Sequence, residues 1–353
     1  MSQLLDTYLS LIKKMIPRSV VEPSIGIDIG IDSCKLIELE KQGNSFVVLN
    51  WGVEPIENAD VSGAVKKLLK RLNIELRTVR TAVFGKGTLI RFIEMPRMPL
   101  EDLRKSFDLE ADKYFPFARD QIYIDTCILD HRGTEKQMSV LVAAAKREII
   151  HDRIELLTNL GLSADFIGVN ALAIANVFSS LPQDVPQKES SPVVLALLDI
   201  GEMVSNLIIT VDGLPGFTRD IFVSGEELTR RISNALGVSV EEAKKLKCNP
   251  HGRTQEILNI CDAVLLNLIS ETKLSFDYFM TERNLSISKL FLTGGTSMLE
   301  GMNDFFVKNL DMKVERWNPI ASLKLTEDVS AQEINEYAGR LGVALGLALS
   351  RYA

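Results

Sequence analysis

The chain has 353 residues, 46% hydrophobic and 25% charged, which is the balance of a globular protein of two or three domains. A formal net charge of −7 excludes general nucleic-acid binding, which needs clustered cations against phosphates. No run reaches the ~18 uninterrupted apolar residues that span a bilayer. Cys34, Cys127, Cys248 and Cys261 lack C-x-x-C spacing and read as reduced thiols; His131, His151 and His251 lack metal-ligand spacing.

The N-terminal stretch, 1–22, places Leu4, Leu5, Tyr8, Leu9, Leu11, Ile12, Met15 and Ile16 at helical spacing. Lys13, Lys14 and Arg18 follow the apolar part, the reverse of a signal peptide. Met1 to Val21 therefore reads as an amphipathic helix that either touches a membrane or partner or packs on the domain. After Pro23 come strand-like runs at 25–29, 35–40 and 46–51. A helix follows with Val61, Val65, Leu68, Leu69 and Leu72 on one face, then a strand at 81–84 closed by Gly85 and Gly87.

Residues 88–160 read as an insertion. It holds a strand at 89–95, a helix at 100–114 stopped by Pro116, strands at 122–129 and 138–144 around Gly133, and a helix at 148–160 capped by Gly161. The first layer resumes with strand 164–169 and helix 171–178. The Pro-containing stretch 181–192 is the clearest linker. Beyond it lie strands 193–198, 206–211 and 216–222, helix 226–236, and a helical block over 239–247 and 255–280. Strand 289–292 leads into Gly294-Gly295, helix 302–310, strand 313–315 and a closing helix 331–348. Gly339, Gly342 and Gly346 cost that helix propensity, which close packing on a sheet or binding loop would explain.

Asp-Ile-Gly occurs twice, at Asp28-Ile29-Gly30 and Asp199-Ile200-Gly201, each time between two apolar β-type runs. Two matching hairpins imply two related halves. A glycine turn lets backbone amides approach a phosphate without a Cβ in the way. In the first turn Gly30, Ile31, Asp32, Ser33 and Cys34 supply amides, with Lys35 as counter-charge. The second turn offers Gly201, Glu202, Val204 and Ser205. Asp28 and Asp199 can hold a hydrated magnesium ion between the halves. Gly294-Gly295 can carry a flat ring or ribose on bare backbone. Glu241, Lys244 and Lys245 share one helix face, as a nucleoside grip or as a solvated surface.

The order of these four elements resembles the actin-like ATPase superfamily, which includes actin, sugar kinases, heat-shock chaperones and the division protein FtsA. The insertion after strand 81–84 narrows the resemblance to FtsA and to the PilM family of type IV pilus assembly proteins. PilM is closest in wording. The carrying stretches are Ile25-Gly26-Ile27-Asp28-Ile29-Gly30 with Lys35-Leu36-Ile37-Glu38-Leu39, and Leu109-Glu110-Ala111-Asp112-Lys113-Tyr114-Phe115-Pro116-Phe117 with Ile122-Tyr123-Ile124-Asp125. Thr218-Arg219-Asp220 with Gly225-Glu226-Glu227-Leu228-Thr229 adds to them.

The resemblance covers 23–350 and implies an α/β, actin-like (ribonuclease H-like) duplicated two-domain fold. It divides the chain into a first actin-like subdomain (23–87 and 161–182), an inserted small α+β subdomain (88–160) and a second half (183–353) with a nucleoside-side subdomain at 238–290. It implies ATP or ADP with magnesium. Asp28, Gly30, Ser33, Cys34 and Lys35 would form the first phosphate loop, and Asp199, Gly201, Glu202 and Ser205 the second. Gly225, Glu241, Lys244 and Lys245 would flank the nucleoside, with Gly294, Gly295, Thr296 and Met298 beneath the base. Asn170 and Asp199 would orient water.

Departures from the pattern are Ile31, Asp32 and Glu202, which stand where small residues are usual. Extra acids repel a triphosphate unless magnesium or amides offset them. A carboxamide at Asn170 orients water but takes no proton, so turnover is expected to be slow at most.

The implied role is a cytoplasmic protein at the inner-membrane pilus platform, serving pilus biogenesis and twitching motility. Its implied partner is the cytoplasmic N-terminal tail of a PilN-type membrane protein, with other platform components as further partners. The expected groove lies between the first layer and the insertion, walled by strand 89–95 and helix 100–114. The competing readings are an FtsA-like filament former, which would carry its amphipathic helix at the C-terminus, and a sugar kinase, which needs a catalytic carboxylate the sequence does not offer.

Overall fold

A computed structural model describes residues 22–74, 77–129, 136–181 and 192–352. The N-terminal amphipathic stretch (1–21), the turn at Gly133 and the linker (182–191) lie outside the described residues. Strand β1 (Ser24–Ile29) is buried along its whole length, because it lies inside a sheet covered on both faces. It is followed by β2 (Ser33–Gln42), β3 (Ser45–Pro55), helix α1 (Val61–Arg71) and β4 (Thr78–Val83). The insertion comprises β5 (Thr88–Pro96), α2 (Leu100–Tyr114), β6 (Ile122–Ile128) and β7 (Gln137–Lys146), and α3 (Arg147–Asn159), β8 (Ser163–Val169) and α4 (Asn170–Ser180) lead back. The remainder runs β9 (Val194–Ile200), β10 (Ser205–Val211), β11 (Leu214–Ile221), α5 (Gly225–Leu236), α6 (Val240–Cys248), α7 (Thr254–Arg283), β12 (Lys289–Thr293), α8 (Met302–Leu310) and β13 (Val314–Arg316). It closes with β14 (Lys324–Leu325), α9 (Ala331–Tyr337) and α10 (Gly342–Leu349).

Two sheets repeat one plan. The first has the order β14-β3-β2-β1-β4-β8 and the second β11-β10-β9-β12-β13. In each, a central strand pairs antiparallel with the next strand and parallel with a later one, β1 with β2 and β4, and β9 with β10 and β12. The register sets Asp28 opposite Lys35, and Asp199 opposite Asn206. A third sheet, β5-β7-β6, forms the insertion. Among the described residues no helix is long and apolar enough to cross a membrane.

Three boundaries differ from the sequence expectation. Leu157 of α3 packs with Ile25, Ile27 and Val65, so α3 belongs to the first layer, while Leu103, Phe107, Phe115, Met138 and Val140 form the insertion's own core. The end of the chain returns to the first half, where β14 pairs with β3 and α10 covers β1 and α4. The single closing helix is broken by a 3₁₀ turn, Ala338–Arg340. The Gly339 carbonyl is diverted there to accept from the Gly294 amide (2.8 Å) and Thr293 Oγ1 (3.3 Å).

The glycines of this closing segment serve close approach. A Cβ on Gly346 would lie 1.7 Å from the Ala173 carbonyl oxygen of α4, and one on Gly26 would lie 1.9 Å from that of Ala344 in α10. Gly346→Ala must therefore separate two backbones. It is expected to destabilise the fold by about 1–3 kcal/mol or more. An unchanged urea midpoint would contradict this packing.

Candidate functional site

The two Asp-Ile-Gly turns close in the same way. The Gly30 amide donates to the Ser33 carbonyl at 3.1 Å, and the Gly201 amide to the Val204 carbonyl at 3.2 Å. Both turns project from the C-terminal ends of central strands and face one cleft between the halves, open to solvent at its mouth. Asp28, Gly30, Ser33, Lys35, Asn170, Asp199, Gly201, Glu202, Lys244, Gly294, Gly295 and Thr296 line it together. Residues far apart in sequence therefore meet in one place.

The floor is electrostatically tight. Lys35 Nζ lies 3.1 Å from Asp28 Oδ2 and 3.3 Å from the Ser33 carbonyl oxygen. Burial alone pulls the Lys35 ammonium down, but Asp28 and Asp32 more than offset it, so the net shift is upward. Asp199 lacks such a partner. Burial, reinforced by the charge of Asp28 and opposed by Lys35, raises its carboxyl to about 7. Asn170 Oδ1 is buried without a hydrogen-bond partner. These are acceptor oxygens, suited to the waters of a hydrated divalent cation. Among the described residues no three His, Cys, Asp or Glu side chains converge as direct metal ligands.

Several expected residues lie elsewhere. Cys34 and Ser205 precede cleft-facing residues on their strands and so point to the opposite face. Cys34 is wholly buried in the core, where burial pushes its thiol up to about 12, and Ser205 Oγ donates to the Val223 carbonyl. Glu241 and Lys245 are exposed and do not line the cleft; the inward face of α6 is instead Lys244, Lys247 and Cys248. Met298 packs beside Gly339 under the Gly-Gly loop rather than lining the cleft. Gly225 sits where a Cβ would strike Thr296 Oγ1, Glu202 Oε2 and Lys247 Nζ at 2.2, 2.5 and 2.9 Å.

Sequence reasoning missed Lys247, Arg340, Asn206 and Arg153. Lys247 Nζ pairs with Glu202 Oε2 at 2.6 Å and donates to the Gly225 carbonyl at 2.9 Å. Glu202 is thus a neutralised acid, not the free repelling charge its position implied. Arg340 follows Gly339 into the cleft beside Gly295. Arg153 of α3 donates to the Ile29 carbonyl (3.2 Å) and Thr81 Oγ1 (3.1 Å), bracing the first turn from below. The i+3 spacing of Lys244 and Lys247 was the available signal; nothing local marked the other three.

Asp199 gives a pH test. Between about pH 4 and about pH 7 the unfolded chain has released this proton while the folded protein keeps it. The folded state binds more protons there, so stability falls as pH rises through that window. Asp199→Asn removes the contribution. In urea titrations the wild type is expected to lose stability relative to Asp199→Asn from about pH 4 to about pH 7 and to hold a constant offset above. A difference independent of pH would contradict a raised carboxyl.

A second, apolar cavity lies between the insertion and the first sheet. Its walls are Tyr123 and Cys127 of β6, Phe166 and Val169 of β8, and Leu172 of α4, over a floor that includes Ala143, Ala144 and Ala145 of β7. The expected walls, strand 89–95 and helix 100–114, do not line it. The reason is strand order. β6 and β8 are the edges of their sheets, whereas β5 lies on the far side of β7.

A family model described as type IV pilus assembly protein PilM matches residues 26–352. A solved PilM-PilN type IV pilus biogenesis complex is similar with a TM-score of 0.81 and 24% identity, over 94% of this chain and 98% of that one. The ethanolamine utilization protein EutJ from Carboxydothermus hydrogenoformans shares the fold at a TM-score of 0.50 and 16% identity, over 98% of each chain. The cell division protein FtsA of Bacillus subtilis is 23% identical over 258 residues, 63% of this chain; the chain spans just over half of that relative's length, 57%. With nearly all of its length matched by the family model and an actin-like fold in common with these structures, the chain belongs to the PilM family of type IV pilus assembly proteins.

Proposed function

We propose that this protein binds ATP or ADP with magnesium between its halves. We further propose that it takes the cytoplasmic N-terminal tail of a PilN-type membrane protein into the apolar cavity between β6 and β8. It would act in the cytoplasm, peripheral to the inner membrane, as part of the pilus assembly platform. The observation that carries the partner reading is the placement of that cavity between two sheet edges. Edge strands leave backbone amides and carbonyls open, and an extended peptide can pair with them while its apolar side chains enter the cavity. The similar solved structure is of a PilM in complex with PilN, which supports the same partner class here.

The nucleotide reading rests on the paired turns and the acids beneath them. Turn amides and Lys35 would hold phosphates, with Asp28, Asp199 and Asn170 taking hydrogen bonds from water around the cation. Magnesium would supply charge neutralisation for phosphates lying beside acidic side chains. Gly294, Gly295 and Thr296 would carry the nucleoside, flanked by Lys244 and Arg340. Asn170 can orient a water but not deprotonate it, which favours a slow cycle or a bound state without turnover.

Two measurements test this. A synthetic peptide of the partner tail is expected to bind the wild type in calorimetry, and Ala143→Arg, which fills the cavity floor with a charged side chain, to weaken it at least about tenfold. A peptide that binds both proteins equally, or neither, refutes the partner site. Asp28→Ala is expected to weaken magnesium-nucleotide binding at least about tenfold, because it removes an acceptor for the cation's water and the carboxylate that fixes the place of Lys35. Unchanged affinity refutes the nucleotide role of that carboxylate.

A further inference from the structure

Asn206 is a cleft residue tied to the next strand by its side chain. Asn206 is buried, lines the cleft, and sits opposite Asp199 in the ladder between β9 and β10. Its Nδ2 donates to Asp220 Oδ1 at 2.7 Å, across the ladder between β10 and β11. A carboxylate only accepts hydrogen bonds. Asp220 therefore decides which end of the Asn206 amide is which. The donor end is drawn to β11, and the carbonyl oxygen is left without a protein partner among the described residues.

Asp220 itself does not line the cleft. Its place is fixed by its neighbour Arg219, which reaches the other way to Glu271 Oε2 (2.7 Å) and Ser275 Oγ (2.8 Å) of α7. This accounts for the Thr218-Arg219-Asp220 stretch, whose side chains otherwise have no visible task. The duplicated half offers a comparison. Lys35 stands opposite Asp28 where Asn206 stands opposite Asp199. One half supplies a fixed cation, and the other supplies an oriented acceptor beside an acid. An acceptor there needs a donor from the ligand, and water bound to a divalent cation is such a donor.

We propose that Asp220 is a positioning residue that turns the Asn206 carbonyl into the cleft, where Asn206 and Asp199 together accept hydrogen bonds from water on the nucleotide's magnesium ion. The inference rests on the nucleotide reading above and adds the selection of the metal-bound form. The second half then discriminates by acceptor orientation, and the first by charge.

The test is nucleotide affinity by calorimetry, with magnesium and with EDTA, for the wild type and for Asp220→Ala, Asn206→Ala and Asp220→Asn. Thermal melts check that each variant is folded. Asp220→Ala and Asn206→Ala are expected to lose about 10–100-fold of the affinity gained with magnesium, the range for removing a group that orients a metal's surroundings. Their affinity in EDTA should stay at the wild-type level. Asp220→Asn, whose amide can either accept from or donate to Asn206, no longer fixes that amide and should keep only part of the gain. An equal magnesium gain in wild type and Asp220→Ala overturns the positioning role and leaves the nucleotide reading standing. A loss of the same size in EDTA overturns it as well, since that marks a purely structural defect. A wild type that binds no nucleotide under either condition overturns both.

Discussion

Two acids and one lysine set the terms for this protein. Asp28 and Asp199 sit at the ends of the central strands of two sheets, inside one cleft, and Lys35 is committed to the first of them. Carboxylates removed from water are costly to keep charged without compensation. Folding offsets only one of them, which is why the Asp199 carboxyl is pushed up to about 7. In the proposed function a cation would complete that site, and the turn amides above it would meet the anionic ligand that brings one. The sheet duplication, the close-packed closing helix and the bracing of the first turn by Arg153 all hold these groups in register.

The same frame joins the cleft to the apolar cavity. Strand β8 runs along that cavity to Val169; the next residue, Asn170, lines the cleft, and Leu172 lines the cavity again. The first turn of α4 is thus a wall common to both. α3 makes a second connection, with Ile150 in the cavity and Arg153 one turn on beneath the Gly30 turn. The insertion therefore adds a surface to the duplicated core at the edge strand whose end carries a cleft residue.

The fold was legible where a pattern repeats. The two Asp-Ile-Gly hairpins, each between apolar runs, gave the duplication, and punctuation by Pro96, Pro99 and Pro116 marked elements of the insertion. The cleft was legible where glycine and acid occur together in a turn. What stayed hidden depends on tertiary contact. Lys247 becomes a site residue only because Glu202 reaches it, and Arg340 only because the Gly339 carbonyl leaves the helix to meet Gly294. The side chains of Cys34 and Ser205 turn away from the cleft because neighbours on a strand face opposite ways. The apolar cavity between β6 and β8 was not legible because strand order across a sheet is not written in chain order: β7, the last strand of the insertion, lies between β5 and β6.

In the proposed function a single magnesium-bound nucleotide joins the two turns. A crystal structure grown with magnesium and a non-hydrolysable ATP analogue tests it most directly. The prediction is phosphate density between the Gly30 and Gly201 turns, with a hydrated cation between Asp28 and Asp199. Density for the analogue elsewhere, or an empty cleft at saturating analogue, would contradict it.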